Sequence, residues 1–239
     1  MFWIALSRTR VESAGNNVKL IPAQFIHRVR DLLVARRTSV INQLRAFLLE
    51  RGMVFAKAPC EMKVAMPRIQ ENPERNLTPR MWNLVGLLWS EWKELERQIV
   101  VTNEEVEQIA WSDPARQRLR RISGIGPLIA TAIGNGAAYS KGQEFSCWLG
   151  LVPGQSSTGG ARLFGISKRG NCYLRKLLIH GARSAVLGVK RERSPFGSRL
   201  DALERRAPVK IIITAAATKL ARAAWAVLSS GNDYRFVSA

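Results

Sequence analysis

Leu149-Gly-Leu-Val-Pro-Gly-Gln-Ser-Ser-Thr-Gly-Gly160, followed by Ile166-Ser-Lys-Arg-Gly-Asn-Cys-Tyr-Leu-Arg175, is the stretch on which the reading of the chain turns. Two hydroxyls stand in a Gly-flanked turn, and Arg162, Lys168, Arg169 and Arg175 follow within eighteen residues of Ser157. Glycines let a backbone come close to a phosphate, and the cations neutralise it. The combination predicts a nucleic-acid site. Just upstream, Arg120-Arg-Ile-Ser-Gly-Ile-Gly-Pro-Leu-Ile-Ala130 reads as a helix, a Gly-hydrophobic-Gly hairpin and a second helix opened by Pro127. Such a turn offers backbone N–H groups to a phosphate, and Arg120, Arg121, Gly124 and Gly126 are its candidate DNA-binding residues.

Charge supports this reading. The 239 residues carry a net charge of +19, with a calculated pI near 11.1. Residues 1–114 hold 16 Lys and Arg against 13 Asp and Glu, whereas residues 115–239 hold 21 against 5. The excess therefore belongs to the second half, where the basic side chains lack acidic partners and a polyanion is the expected ligand. A membrane surface fits less well, because no basic amphipathic anchor or lipidation signal is present. The apolar run 211–217 ends at Thr218-Lys219 and reads as too short to span a bilayer, and the opening residues 1–6 as too short for a signal sequence. Cys60, Cys147 and Cys172 show no paired spacing, so a reducing cytoplasm is expected.

Working outward, Val18-Lys-Leu-Ile21, stopped by Pro22, reads as a short strand. Ile26, Val29, Leu33, Val40, Leu44 and Phe47 recur at helical spacing, predicting a helix that ends near Arg51-Gly52. A polar connection is expected over 57–76. Thr78 then caps a long helix with Pro79 in its first turn and a stripe of Leu84, Leu88, Trp92, Leu95, Ile99, Val106 and Ile109. The two long helices are expected to pack antiparallel as a coiled-coil arm. Trp82, Trp89 and Trp92 read as core or helix-partner surface, since they lie in the acidic half. After Asp113-Pro114 come the helix-hairpin-helix, a short helix over 145–149, a helix over 171–189, one near 196–206 and one over 208–228. In the 171–189 helix, Leu174, Leu177, Leu178, Gly181, Ala185 and Val186 are expected in a core, with Arg175, Lys176 and Arg183 left to solvent or DNA. His180 reads as a packing histidine. The chain is thus mainly α, divided as 1–25, 26–112 and 113–239.

The runs 119–187, 219–228 and Asp233-Tyr-Arg235, with the pattern Pro153-x-x-x-Ser-Thr-Gly-Gly160 before Ile166-Ser-Lys-Arg-Gly170, resemble the C-terminal domain of a bacterial insertion-sequence transposase family. A weaker resemblance reaches back to Val18. The family pairs a RuvC-like DEDD domain with a serine-bearing domain, and its characterised members are RNA-guided DNA recombinases. On spacing alone Ser157 reads as a turn serine bonded to its own backbone. The resemblance implies instead a nucleophile that forms a phosphoserine link to DNA, with Thr158, Gly159 and Gly160 shaping the loop. It also implies Mg²⁺ held by carboxylates of the RuvC-like domain, of which residues 1–25 read as a remnant. Glu12 and Asp31 are the only acids before Glu50, and neither falls in a position matching the family, so no metal ligand is assigned. The resemblance therefore implies a DNA transposase, with a possible guide RNA and self-association through the helical arm. A chain without the acidic cluster is expected to bind DNA yet recombine it poorly. The alternatives are a non-catalytic nucleic-acid-binding protein and, less well supported because aromatic and basic residues are not interleaved, a basic RNA-binding structural protein.

Overall fold

The computed structural model describes residues 20–56, 59–71, 77–134, 136, 138–156, 162–188 and 205–234. These form α1 (Leu20–Leu49), α2 (Pro59–Glu71), α3 (Pro79–Ser112), α4 (Pro114–Arg120), α5 (Pro127–Ala132), α6 (Gly142–Trp148), β1 (Pro153–Ser156), β2 (Arg162–Ile166), α7 (Cys172–Gly188) and α8 (Val209–Ser230). The chain is mainly helical, as its periodicity predicts. It divides into two compact units, residues 24–105 and residues 106–239 together with 1–23.

In the first unit, side-chain pairs between α1 and α3 run in opposite order. Arg30 Nε donates to Asn103 Oδ1 at 2.7 Å and Arg37 Nη1 to Glu96 Oε1 at 2.8 Å, so the two helices are antiparallel. Their shared core is Val40, Ile41, Leu44 and Leu48 from α1 with Val85, Trp89, Trp92 and Leu95 from α3. Trp89 and Trp92 stack at 4.7 Å between ring centroids, which places both in the packing role expected of them.

Three expectations are corrected in this region. Leu20 and Ile21, read as strand, open α1 instead. A proline in the first turn costs a helix nothing, because the first N–H groups have no intrahelical acceptor. The stretch 57–76, read as a connection, contains α2. Met62 and Met66 lie one turn apart and are fully buried against the core, each stabilising by about 1.5–3 kcal/mol, which outweighs the hydrogen bond that Pro67 removes. Lys63 ties this helix to α3 by an ion pair with Glu96 at 3.1 Å. Finally, the apolar stripe of α3 is rotated by one residue at its start: Val85 and Trp89 are buried, while Leu84 is exposed. Val29 in α1 is likewise exposed.

The second unit packs α4 to α8 around one core that draws Leu119, Ile122, Ile129, Phe145, Leu174, Leu178, Leu220 and Ala224 together. Asp113 caps α4 by accepting from the Ala115 N–H at 2.9 Å, with Pro114 at the first helical position. α7 buries Leu174, Leu178, Ala182 and Ala185, and α8 answers with Ile212, Ala216, Ala217, Leu220, Ala221, Ala224 and Val227. Small residues at the contact let the two helices approach closely. At 22 residues, α8 is long and apolar enough to cross a membrane by length and composition, which corrects the reading of 211–217 as too short. Its apolar face is spent on this core. Of the helix expected near 196–206, residues 196–204 fall outside the described residues, and Arg205 and Arg206 lie in a turn.

Candidate nucleic-acid interface

The serine-bearing stretch is a β-hairpin, which the sequence reading took for a turn. β1 and β2 pair antiparallel with Pro153 opposite Ile166, Gln155 opposite Leu163 and Ser156 opposite Arg162. This register makes Ser157 the first residue of the connection; Ser157, Thr158, Gly159 and Gly160 lie outside the described residues.

The base of the hairpin is closed by two chain segments that cross. Ser167 N–H donates to Val152 O at 2.9 Å and Lys168 N–H to Gly150 O at 3.2 Å. Gly150 and Gly170 both have positive φ, at 68° and 106°. A Cβ on Gly150 would come within 2.1 Å of Arg169 O, and one on Gly170 within 1.8 Å of Trp148 O. Only glycine permits that approach. Lys168 adopts φ 55°, the one non-glycine positive φ among the described residues, and it costs about 1–2 kcal/mol unless the surroundings hold it. Here the bond from its N–H to Gly150 O holds it, and the Lys168 and Arg169 side chains are turned to solvent.

Arg175, expected on the exposed face with them, is buried. Its Nη1 donates to Leu149 O at 2.9 Å and its Nη2 to Cys172 Sγ at 3.1 Å. The guanidinium satisfies the Leu149 carbonyl beside the glycine crossing, so this buried cation supports the base of the hairpin. Lys176 and Arg183 are exposed as expected, and so is His180, which was read as packed. Arg162 pairs through its backbone at the mouth of the hairpin.

Around the turn after α4, the four candidate residues separate. Arg120 lays its guanidinium over the exposed Trp111 ring at 3.9 Å from the centroid. Arg121, immediately after the helix, forms an ion pair with Asp233. Gly124 has φ 92°, and a Cβ there would meet Gly181 O of α7 at 2.8 Å; a Cβ on Gly181 would meet Gly124 O at 2.1 Å. Gly124 thus serves close packing of the turn against α7, whereas Gly126 is exposed with nothing within 4 Å of a Cβ. Trp111, Asp233, Gly181 as a backbone contact and the buried role of Arg175 were not found from the sequence. Each is a partner far along the chain, with no local pattern to announce it.

Carboxylates are scarce. Glu144 accepts from Ser140 Oγ and N–H at 2.9 Å and 3.0 Å, and these bonds hold its carboxyl below the usual range. Asp233 is engaged by Arg121. Among the described residues no three His, Cys, Asp or Glu side chains gather.

A helical, strongly basic domain that presents a serine-bearing hairpin on a glycine-crossed base is the class these features define. Residues 116–196 match the model described as Transposase IS116/IS110/IS902 family. The chain is 37% identical over 218 residues to a "Probable family 20 transposase" of Pseudomonas aeruginosa, covering 89% of this chain and 64% of that protein. It is 34% identical to the "Transposase for insertion sequence element IS1111A" of Coxiella burnetii, over 92% of this chain and 62% of the relative. To the "Transposase for insertion sequence element IS1328" of Yersinia enterocolitica it is 36% identical, over 87% and 63%. Residues 116–196 are thus similar to the domain that this family model describes, and the similarity to proteins named as transposases extends over most of the chain. The chain spans less than two thirds of the length of these relatives.

Proposed function

We propose that the chain acts in DNA transposition, binding duplex DNA through its basic 106–239 unit and using Ser157 as nucleophile. The observation that carries the reading is the family match over 116–196, which includes the whole serine hairpin. Its charge supports it: with 21 cations against 5 acids beyond residue 114, counterion release favours a polyanion whatever its sequence. Lys168, Arg169, Arg121 and Gly126 are the candidates for phosphate contact, and Arg162 stands at the mouth of the hairpin.

In the proposed step, the Ser157 Oγ attacks a DNA phosphorus. The O–P bond to serine forms as the bond to the deoxyribose oxygen breaks, and the hydroxyl proton leaves with that oxygen. A serine hydroxyl needs help to lose its proton, so the step calls for an activating base or metal. Mg²⁺ and a guide RNA belong to this reading only as what the resemblance implies. Self-association of the 24–105 unit is part of the proposal, resting on exposed Phe25, Leu32, Leu84 and Leu87.

A protein–DNA adduct that survives a denaturing gel is expected with the wild-type chain and cognate DNA, and none with Ser157→Ala. Salt-sensitive binding by both proteins with an adduct from neither would favour the non-catalytic DNA-binding alternative, which the small number of acids beyond residue 114 supports.

A further inference from the structure

Asp233 is placed where it is by two anchors. α8 ends at Gly231, whose left-handed φ of 68° and N–H bond to Val227 O at 3.1 Å turn the chain back on the domain. Three residues on, Tyr234 packs against the core cluster, partly covered, and burial pushes its phenol up from the ordinary value. Of the two residues between these fixed points, Asp233 is delivered to Arg121, 112 positions earlier in the chain.

As a fastening this pair is weak. Both side chains are more than half exposed, at 61% and 51%, and exposed ion pairs contribute little to a fold. As a charge it matters more. Residues 115–239 hold only five acids; of the two that are described, Glu144 caps its own turn and Asp233 sits on an arginine of the turn after α4.

We propose that Asp233 is a specificity-determining residue that holds Arg121 off non-specific phosphate. A phosphate reaching Arg121 must displace a tethered carboxylate and approach a like charge. A backbone lying only loosely on the surface does not meet that requirement, whereas one aligned by other contacts does. The inference rests on the reading of this unit as a DNA-binding surface.

The full chain, Asp233→Asn, Arg121→Gln and the double variant would be titrated against random-sequence duplex DNA over low to moderate salt. Asp233→Asn, which keeps the side-chain shape, is expected to bind about three- to tenfold tighter. The slope of log K against log salt should steepen by about one as one further phosphate is engaged. Arg121→Gln should abolish that gain, so that the double variant matches it. Unchanged or weaker binding by Asp233→Asn, a gain that persists without Arg121, or a lowered melting temperature with no change in affinity would each overturn the proposal. Wild-type protein that shows no salt-dependent binding would overturn the DNA-binding reading as well. Flat behaviour of Asp233→Asn alone, on a wild type that binds, would leave that reading standing and remove only this inference.

Discussion

Arg175 lies one position from a buried leucine in α7, and a pattern of apolar spacing assigns it to solvent. What buries it is the carbonyl of Leu149, 26 residues earlier, which has the guanidinium as its donor. Arg175→Met keeps the bulk and removes the donor. It is expected to cost about 1.5–3 kcal/mol in urea denaturation, the range for a hydrogen bond to a charged group. Arg175→Lys should recover only part, because an ammonium does not reproduce the fork that spans Leu149 O and Cys172 Sγ. Equal stability of wild type and Arg175→Met would remove the supporting role. At Gly124, by contrast, the sequence pointed to a special backbone correctly but did not announce its contact with α7. The positive φ is there, and it lets the turn come close to Gly181.

Among elements, α7 and α8 share the most extensive contact in the described structure. Ala182 in α7 and Ala217, Ala221 and Ala224 in α8 are fully buried, so there is no room for a longer side chain at those positions. Ala221→Leu is expected to destabilise by about 1–3 kcal/mol through overpacking, read as a lowered melting temperature in calorimetry. An unchanged or raised melting temperature would show that the interface is looser than its burial implies. The long helices were legible because their period persists over many turns, and α4 because Asp113-Pro114 announces its start. α2 and the β-hairpin were not. The first carries an interior proline, and the second is four and five residues long with its pairing fixed only across the connection. The arm stripe was found with a one-residue error at Leu84 and Val85, because apolar residues occupy both sides of that helix.

For the molecule as a whole, the apolar surface that the stripe leaves out is the test of assembly. Phe25, Leu32, Leu84 and Leu87 are each at least half exposed, and a solvated helical pair rarely leaves that many large side chains uncovered. Light scattering at micromolar concentration is expected to report a mass above that of one 26.7 kDa chain, and Leu87→Glu with Leu32→Glu to return it to monomer. A monomer throughout would remove self-association from the proposal. Of the candidate site, charge and the glycine pattern were legible in sequence, since both are local; which cations face outward was not, since that depends on partners such as Asp233 and Leu149 that only folding brings near.

The crossing of 148–150 with 168–170 acts on the chain between them as a drawstring does on a bag. With the neck tied by Gly150 and Gly170, the contents can change length without loosening what lies outside. Closing a loop that is already pinched at its ends costs only about 0.6 kcal/mol more for each doubling of its length. The neck therefore keeps its closure whatever the length of the chain it holds.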